Sequence, residues 1–144
     1  MELTVALEMA RGRNQGILAT VSPDGRPHLS NILYSVTRDA AKGESAEISI
    51  TDDRVKTRNI RHDPRVALHV GGDSFWEYVV LEARAELSPV ATSAHDRTVE
   101  DLVAMYRRIQ GEHDDWDEFR QAMVDQRRIL LRLWPERAYG IVRS

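Results

Sequence analysis

A run of hydroxyl and basic side chains between residues 49 and 59 is the segment best suited to chemistry. It reads Ser-Ile-Thr-Asp-Asp-Arg-Val-Lys-Thr-Arg-Asn and leads from an alternating strand into a predicted helix. The start of a helix presents free N–H groups and the positive end of its dipole, which favour phosphate. Arg54 and Lys56 add cationic donors there, while Ser49 and Thr57 supply hydroxyls. The segment therefore predicts a phosphate site.

Three aspartates in and after this segment allow a second interpretation. Asp52 or Asp53 could cap the helix, and both could pair, together with Asp63, with its arginines. The segment would then be a solvated charged helix that binds nothing. The residues alone leave both interpretations open.

A second candidate segment places polar side chains on both faces of a predicted strand. His28 and Ser30 lie on one face and Asn31 on the other, before the strand turns apolar. Such groups could bond to a heteroaromatic ring lying across the sheet. A strand end that is still in solvent would show the same pattern.

A third segment is aromatic and follows a glycine-rich turn. Phe75, Trp76 and Tyr78 come directly after Gly-Gly-Asp at residues 71–73. They could form a wall against a planar ligand, or they could pack a hairpin or an interface.

Several kinds of chemistry are absent from the sequence. There is no cysteine, and none of the five histidines has metal-ligand spacing with another histidine or a carboxylate. No nucleophile elbow, P-loop or dinucleotide fingerprint occurs. We therefore assign no metal site and no catalytic side chain, and expect a bound cofactor to carry any reaction.

Composition narrows the class of protein further. The chain has 144 residues and a formal net charge of -3, which suits one domain over residues 1–144 and disfavours nucleic acid as a partner. No apolar stretch approaches the ~20 residues of a membrane span. No targeting segment is apparent, so we expect a cytoplasmic location and no membrane partner.

Short alternating strands joined by hairpins dominate the pattern. Val79, Leu81 and Ala83 face one side of the clearest strand, with Glu82 and Arg84 on the other. The predicted class is α+β and mostly β, an antiparallel barrel or sandwich with flanking helices. The predicted strands cover residues 16–21, 28–36, 46–51, 65–70, 77–87, 129–134 and 138–142, with a loop over 37–45.

Four motifs together resemble the pyridoxamine 5′-phosphate oxidase-like split-barrel superfamily. They are Gly-Ile-Leu-Ala-Thr-Val at 16–21, Asp-Gly-Arg-Pro-His-Leu-Ser-Asn at 24–31, Arg-Val-Lys-Thr-Arg-Asn at 54–59 with Asp63-Pro64, and Gly-Glu-His-Asp-Asp-Trp-Asp-Glu-Phe-Arg-Gln-Ala-Met at 111–123. Their order and spacing are similar to the actinobacterial branch of deazaflavin-dependent oxidoreductases.

The resemblance implies a six-stranded split barrel and a homodimer with two cofactor sites, each built from both subunits. It implies that Arg54, Lys56 and Thr57 hold the cofactor phosphate. Ser49 and Ile50 would lie along the ring and ribityl chain. The remaining implied contacts are His28, Ser30 and Asn31 near the ring, and Trp76 and Tyr78 from the partner subunit.

The same resemblance implies a redox function. True pyridoxamine phosphate oxidases are longer and carry further basic residues near the C-terminus, so vitamin B6 oxidation is not expected. We expect coenzyme F420, with FMN as the alternative, and hydride transfer to a small conjugated or unsaturated molecule. A non-catalytic flavin or tetrapyrrole carrier is the competing interpretation.

Overall fold

The computed structural model describes residues 1–143, which form four helices and seven strands. The helices are α1 (Leu3–Arg11), α2 (Val55–His62), α3 (Arg97–Gln110) and α4 (Trp116–Asp125). The strands are β1 (Gln15–Val21), β2 (Pro27–Leu33), β3 (Ser35–Asp39), β4 (Gly43–Thr51), β5 (Arg65–Gly71), β6 (Tyr78–Leu87) and β7 (Arg128–Ile141). The predicted α+β class with flanking helices is confirmed.

One sheet contains all seven strands in the order β2-β1-β5-β6-β7-β4-β3, and every pairing is antiparallel. The strands β2 and β3 stand at opposite ends of this order, although only Tyr34 separates them in the chain. The sheet must therefore curl until its two edges approach each other, which makes it a barrel. Tyr34 is buried, and its hydroxyl donates to the Ala10 carbonyl of α1 at 2.7 Å.

The strand count differs from the six that the resemblance implied. The predicted strand over 28–36 is broken at Tyr34 into β2 and β3. The two predicted closing strands are instead one long strand, β7, which passes Pro135 at a bulge where the register with β6 shifts after Glu82. A bulge tolerates proline because one residue there leaves the hydrogen-bond ladder.

Close backbone approach at Gly140 lets the end of β7 lie against β6. Its φ is 148°, and a Cβ there would stand 2.1 Å from the Tyr78 carbonyl oxygen. Only glycine combines that backbone angle with so little space.

Two apolar clusters hold the elements together. The barrel core contains fully buried side chains such as Leu18, Ile48 and Leu68. The second cluster lies under α3 and α4 and meets the barrel at Leu130. Both faces of β7 are therefore buried near its start, which fixes the α3–α4 hairpin beside that end of the strand. Among the described residues, no helix is long and apolar enough to cross a bilayer.

Candidate functional site

Lys56 is a buried cation in the first turn of α2, with only 8% of its surface exposed. Its Nζ lies 3.5 Å from Ser30 Oγ of β2, at the limit of a hydrogen bond. The pKa of Lys56 is lowered from its ordinary value by desolvation first, and then by the positive charges of Arg54 and Arg128.

Arg128 opens β7 beside this lysine. Its register partner is Thr51, and its Nη1 lies 3.5 Å from both the carbonyl oxygen and the Oγ of Ser49. Burial lowers the pKa of this guanidinium, and Arg54 lowers it further. Arg54, Lys56 and Arg128 thus repel one another, and they are called the cation cluster below.

Two nearby carboxylates are engaged with other arginines. Asp52 accepts from Arg61 at 2.6 Å and from Arg127 at 3.1 Å, and Asp63 binds Arg65 at 2.7 Å. Over residues 1–143, no carboxylate forms an ion pair with any member of the cation cluster. The solvated-helix interpretation paired these aspartates with nearby arginines. In the structure their ion pairs involve no member of the cation cluster.

The predicted cap of α2 is wrong. The N-cap residue is Arg54 rather than Asp52 or Asp53, and no side chain caps the helix. Asp53 instead accepts from the Thr51 hydroxyl at 2.9 Å. The N-terminal, positive end of the α2 dipole therefore adds to the potential of the cation cluster. No acidic side chain caps the first N–H groups of the helix.

Buried polar residues dock α2 onto the barrel. The Thr57 hydroxyl donates to the Thr51 carbonyl at 2.6 Å, and Asn59 Nδ2 donates to Thr20 Oγ1 at 3.1 Å. Ile50 is nearly fully buried in the barrel core. The side chains of Thr57 and Ile50, both predicted site residues, are therefore used in packing and do not line the cavity described below.

The edge strand β2 brings its three predicted polar residues to the same region. His28 and Ser30 are half-buried on one face, and Asn31 is exposed on the other, as the sequence predicts. His28 Nδ1 is buried and has no hydrogen-bond partner. An unsatisfied buried ring nitrogen is costly unless a further group bonds to it.

A cavity of about 360 Å³ joins these elements. Its polar side carries Ser49, Lys56, Arg128 and Asn31. Its apolar side comes from the α3–α4 hairpin, and this surface is called the α3–α4 wall; it consists of Leu102, Met105, Tyr106, Ile109, Phe119 and Met123.

Trp76 and Tyr78 do not line this cavity within one chain. Trp76 is 64% exposed and meets Phe75 edge to face, with ring centroids 4.9 Å apart. Tyr78 stacks on His69 at 5.4 Å on the outer surface of the sheet. Of the ten predicted residues, Asn31, Ser49 and Lys56 line the cavity, and Ser30 contacts Lys56. Trp76 and Tyr78 lie elsewhere.

Sequence reasoning missed Arg128 and the α3–α4 wall. Arg128 lies 79 residues from Ser49 in the chain, and only the pairing of β4 with β7 brings the two together. An apolar stripe such as that of α3 does not by itself indicate a cavity, since a core helix and a cavity wall share one periodicity.

The curled antiparallel sheet with flanking helices is the fold of split-barrel proteins. The cation cluster lies beside the start of a short helix of this fold. The family model described as pyridoxamine 5′-phosphate oxidase matches residues 5–141. The chain therefore belongs to the pyridoxamine 5′-phosphate oxidase family, and the resemblance seen in the sequence is confirmed.

Solved structures with the same fold have several different names. Rv2991, a conserved hypothetical protein from Mycobacterium tuberculosis, is 23% identical, with a TM-score of 0.69 over 96% of this chain and 82% of its own. An F420 reductase is 22% identical, with a TM-score of 0.68 over 92% and 94%. HutZ, the haem storage protein from Vibrio cholerae, is 19% identical, with a TM-score of 0.65 over 97% and 95%. At these identities the similarity establishes the fold alone.

Proposed function

We propose that this protein is an F420-dependent reductase that transfers hydride from the reduced deazaflavin to a small conjugated or unsaturated molecule. The observation that carries the proposal is the cation cluster beside the cavity. Its charges have no carboxylate partner among residues 1–143, so a phosphate would relieve both their repulsion and their desolvation. An F420 reductase with the same fold adds support.

The residues present fit a phosphate-bearing cofactor. Lys56 supplies a buried point charge, and Arg54 and Arg128 supply forked donors for phosphate oxygens. Ser49 and Ser30 would add hydroxyls. The unpartnered Nδ1 of His28 would bond to a polar edge of the cofactor.

The bound deazaflavin would supply the hydride, and the chain would supply position and electrostatics. No carboxylate and no histidine lines the cavity among the described residues. The cavity therefore offers no carboxylic acid and no imidazole as a proton donor, and the proton that completes the reduction would come from solvent.

The outer face of the sheet supports a homodimer with shared sites. Register pairs place Asn31, Ile17, His69, Val80 and Tyr139 in one row across five strands. Exposed apolar side chains surround this row, an arrangement typical of an interface; they are Leu29, Leu33, Phe75, Trp76 and Ile141.

We propose that this face meets a second copy of the chain. Because Asn31 also lines the cavity, the interface would border the cofactor site. Trp76 and Tyr78 of the partner subunit would then complete it, in agreement with the family resemblance.

The cation cluster by itself does not distinguish F420 from FMN, because both carry a phosphate. HutZ has the same fold and stores haem, which keeps a tetrapyrrole carrier as a second candidate.

Paired titrations with F420 and FMN, followed by quenching of the three tryptophans, test the proposal. We expect tighter binding of F420 and turnover of unsaturated acceptors by the reduced cofactor. Preference for FMN would make the protein a flavin enzyme, and haem binding with neither cofactor bound would make it a carrier.

A further inference from the structure

The α3–α4 wall has a composition that restricts what can bind against it. Lys56 and Arg128 are the only charged side chains lining the cavity in the described part of the chain. The remaining polar groups beyond Ser49 are uncharged: the side-chain amides of Asn31 and Gln110 and the hydroxyl of Tyr106. Once a phosphate engages both cations, neither is free to bind an ionic group on a second ligand.

The wall is held in place by an aromatic cluster behind it. Tyr106 and Phe119 have ring centroids 5.0 Å apart, and each also meets Trp116, at 5.7 and 5.5 Å. Trp116 is covered by the Arg107 guanidinium at 4.7 Å and donates to Glu112 at 2.9 Å. These contacts oppose collapse of the wall into the cavity.

Burial divides the wall into packed and available side chains. Leu102, Met105 and Met123 are buried in the second apolar cluster. Tyr106, Ile109 and Phe119 keep exposed surface where they line the cavity. An apolar ligand would remove this surface from water, as in small-molecule sites that pair apolar walls with few polar groups.

We propose that the α3–α4 wall is the acceptor subsite, and that the acceptor is an uncharged molecule with an apolar ring body and one polar group within reach of Asn31 or Gln110. This inference rests on the proposed function, since it assigns the cation cluster to the cofactor. It deepens that function by naming the substrate class.

Two probes with the same naphthalene ring and different charge test the inference. They are 2-naphthol, which is neutral at pH 7, and naphthalene-2-sulfonate, and their binding is measured by saturation-transfer NMR with and without saturating F420. We expect the sulfonate to bind only the cofactor-free protein, because F420 takes the cations. We expect 2-naphthol to bind in both states.

Phe119→Ala locates the neutral probe, with Val5→Ala as the control because Val5 is an exposed apolar residue of α1 that lies outside the cavity and outside the proposed interface. We expect Phe119→Ala to weaken 2-naphthol at least fivefold and to leave the F420 dissociation constant within twofold. Val5→Ala should leave 2-naphthol binding unchanged. If Phe119→Ala does not fold, Ile109→Asn should give the same fivefold loss.

Expulsion of 2-naphthol by F420 would show that the cofactor itself covers the wall, which overturns the acceptor subsite and leaves the proposed function intact. Equal 2-naphthol binding by wild type and the wall variants would also overturn the subsite. Failure of F420 to bind the wild-type protein would overturn the proposed function, and the F420 titration alone reports it.

Discussion

Lys56 Nζ lies 3.5 Å from Ser30 Oγ, so the first turn of α2 meets the edge strand β2 at the cation cluster. This contact joins the two polar segments that stood out in the sequence. A single hydroxyl does little to compensate a desolvated ammonium. The lysine is therefore a costly residue in the free protein, and an anionic ligand would recover that cost.

Removal of the Lys56 charge should weaken cofactor binding without unfolding the protein. We expect Lys56→Ala to cost about 1.5 kcal/mol or more of F420 binding free energy, the scale of a charged hydrogen bond. Titration of F420 against tryptophan fluorescence measures it. Lys42→Ala is the matched control, because Lys42 is the only other lysine and is exposed near Glu86. Equal affinities for the two variants would exclude Lys56 from the phosphate site.

Arg128 should act through the same anion, although it belongs to another element. We expect Arg128→Gln to weaken F420 binding and to make that binding less dependent on salt, because one cation fewer neutralises the ligand. Arg97→Gln provides a control, since Arg97 is an exposed arginine paired with Asp101 at 3.1 Å. An unchanged salt dependence in Arg128→Gln would mean that this guanidinium does not meet the ligand.

The strands and their alternation could be predicted from the sequence because each depends on local pattern. The hairpin at residues 22–27 formed as its Pro-Asp-Gly turn chemistry indicates, with the Gly25 N–H donating to the Ser22 carbonyl at 2.8 Å. The break at Tyr34 could not be predicted, because no turn residue marks it. It arises where the curled sheet passes from one edge to the other.

The residues of the candidate site also divide into those that local sequence predicts and those that only long-range contacts bring to the site. Lys56 and Ser30 lie in segments whose own composition was unusual, so both were predicted. Arg128 and Phe119 owe their place to the pairing of β4 with β7 and to the packing of α3 on α4. Such long-range contacts leave no local signal in a single sequence.

A buried carboxylate ties α3 to the barrel, and its loss should destabilise the fold. Glu47 is 4% exposed and binds both Arg108 and Arg132, the latter at 3.0 Å. Glu47→Gln removes the carboxylate that pairs with Arg108 and one of the two that pair with Arg132, and we expect it to cost about 3 kcal/mol of unfolding free energy. Urea denaturation measures the change.

The control for this prediction is an exposed carboxylate in another ion pair. Glu82 accepts from Arg137 at 2.7 Å on the surface, so Glu82→Gln should change the unfolding free energy by less than about 1 kcal/mol. Comparable losses for Glu47→Gln and Glu82→Gln would contradict the structural role given to Glu47.

Ionisation of Asp63 should make the free energy of unfolding depend on pH in the acid range. Hydrogen bonds from the Arg65 side chain and backbone lower the pKa of Asp63 from 3.8 to about 2. Because the folded value lies below the unfolded one, its stabilisation is present above pH 3.8 and is lost as the pH falls through about 2. Asp63→Asn should therefore be less stable than wild type at pH 7, and the difference should shrink toward pH 2. Urea midpoints across this range measure it, and a constant difference would refute the ionic origin.

A charge on the outer face of the sheet should prevent the proposed dimer. Ile17 lies in the cross-strand row between Asn31 and His69, so Ile17→Glu would place a carboxylate in the apolar interface. We expect a monomer by light scattering, whereas Val5→Glu on α1 should stay dimeric, since Val5 has similar exposure but lies outside the row. A monomeric wild type that binds F420 tightly would contradict the shared site.

The central claim is that the cation cluster holds the cofactor phosphate, and a thermodynamic cycle tests it most directly. F420 and the phosphate-free deazariboflavin are titrated by calorimetry into wild type and Lys56→Ala. We predict that the mutation weakens F420 about tenfold or more, the equivalent of about 1.4 kcal/mol, and leaves deazariboflavin affinity unchanged. An equal loss for both ligands, or no loss for either, would contradict the claim.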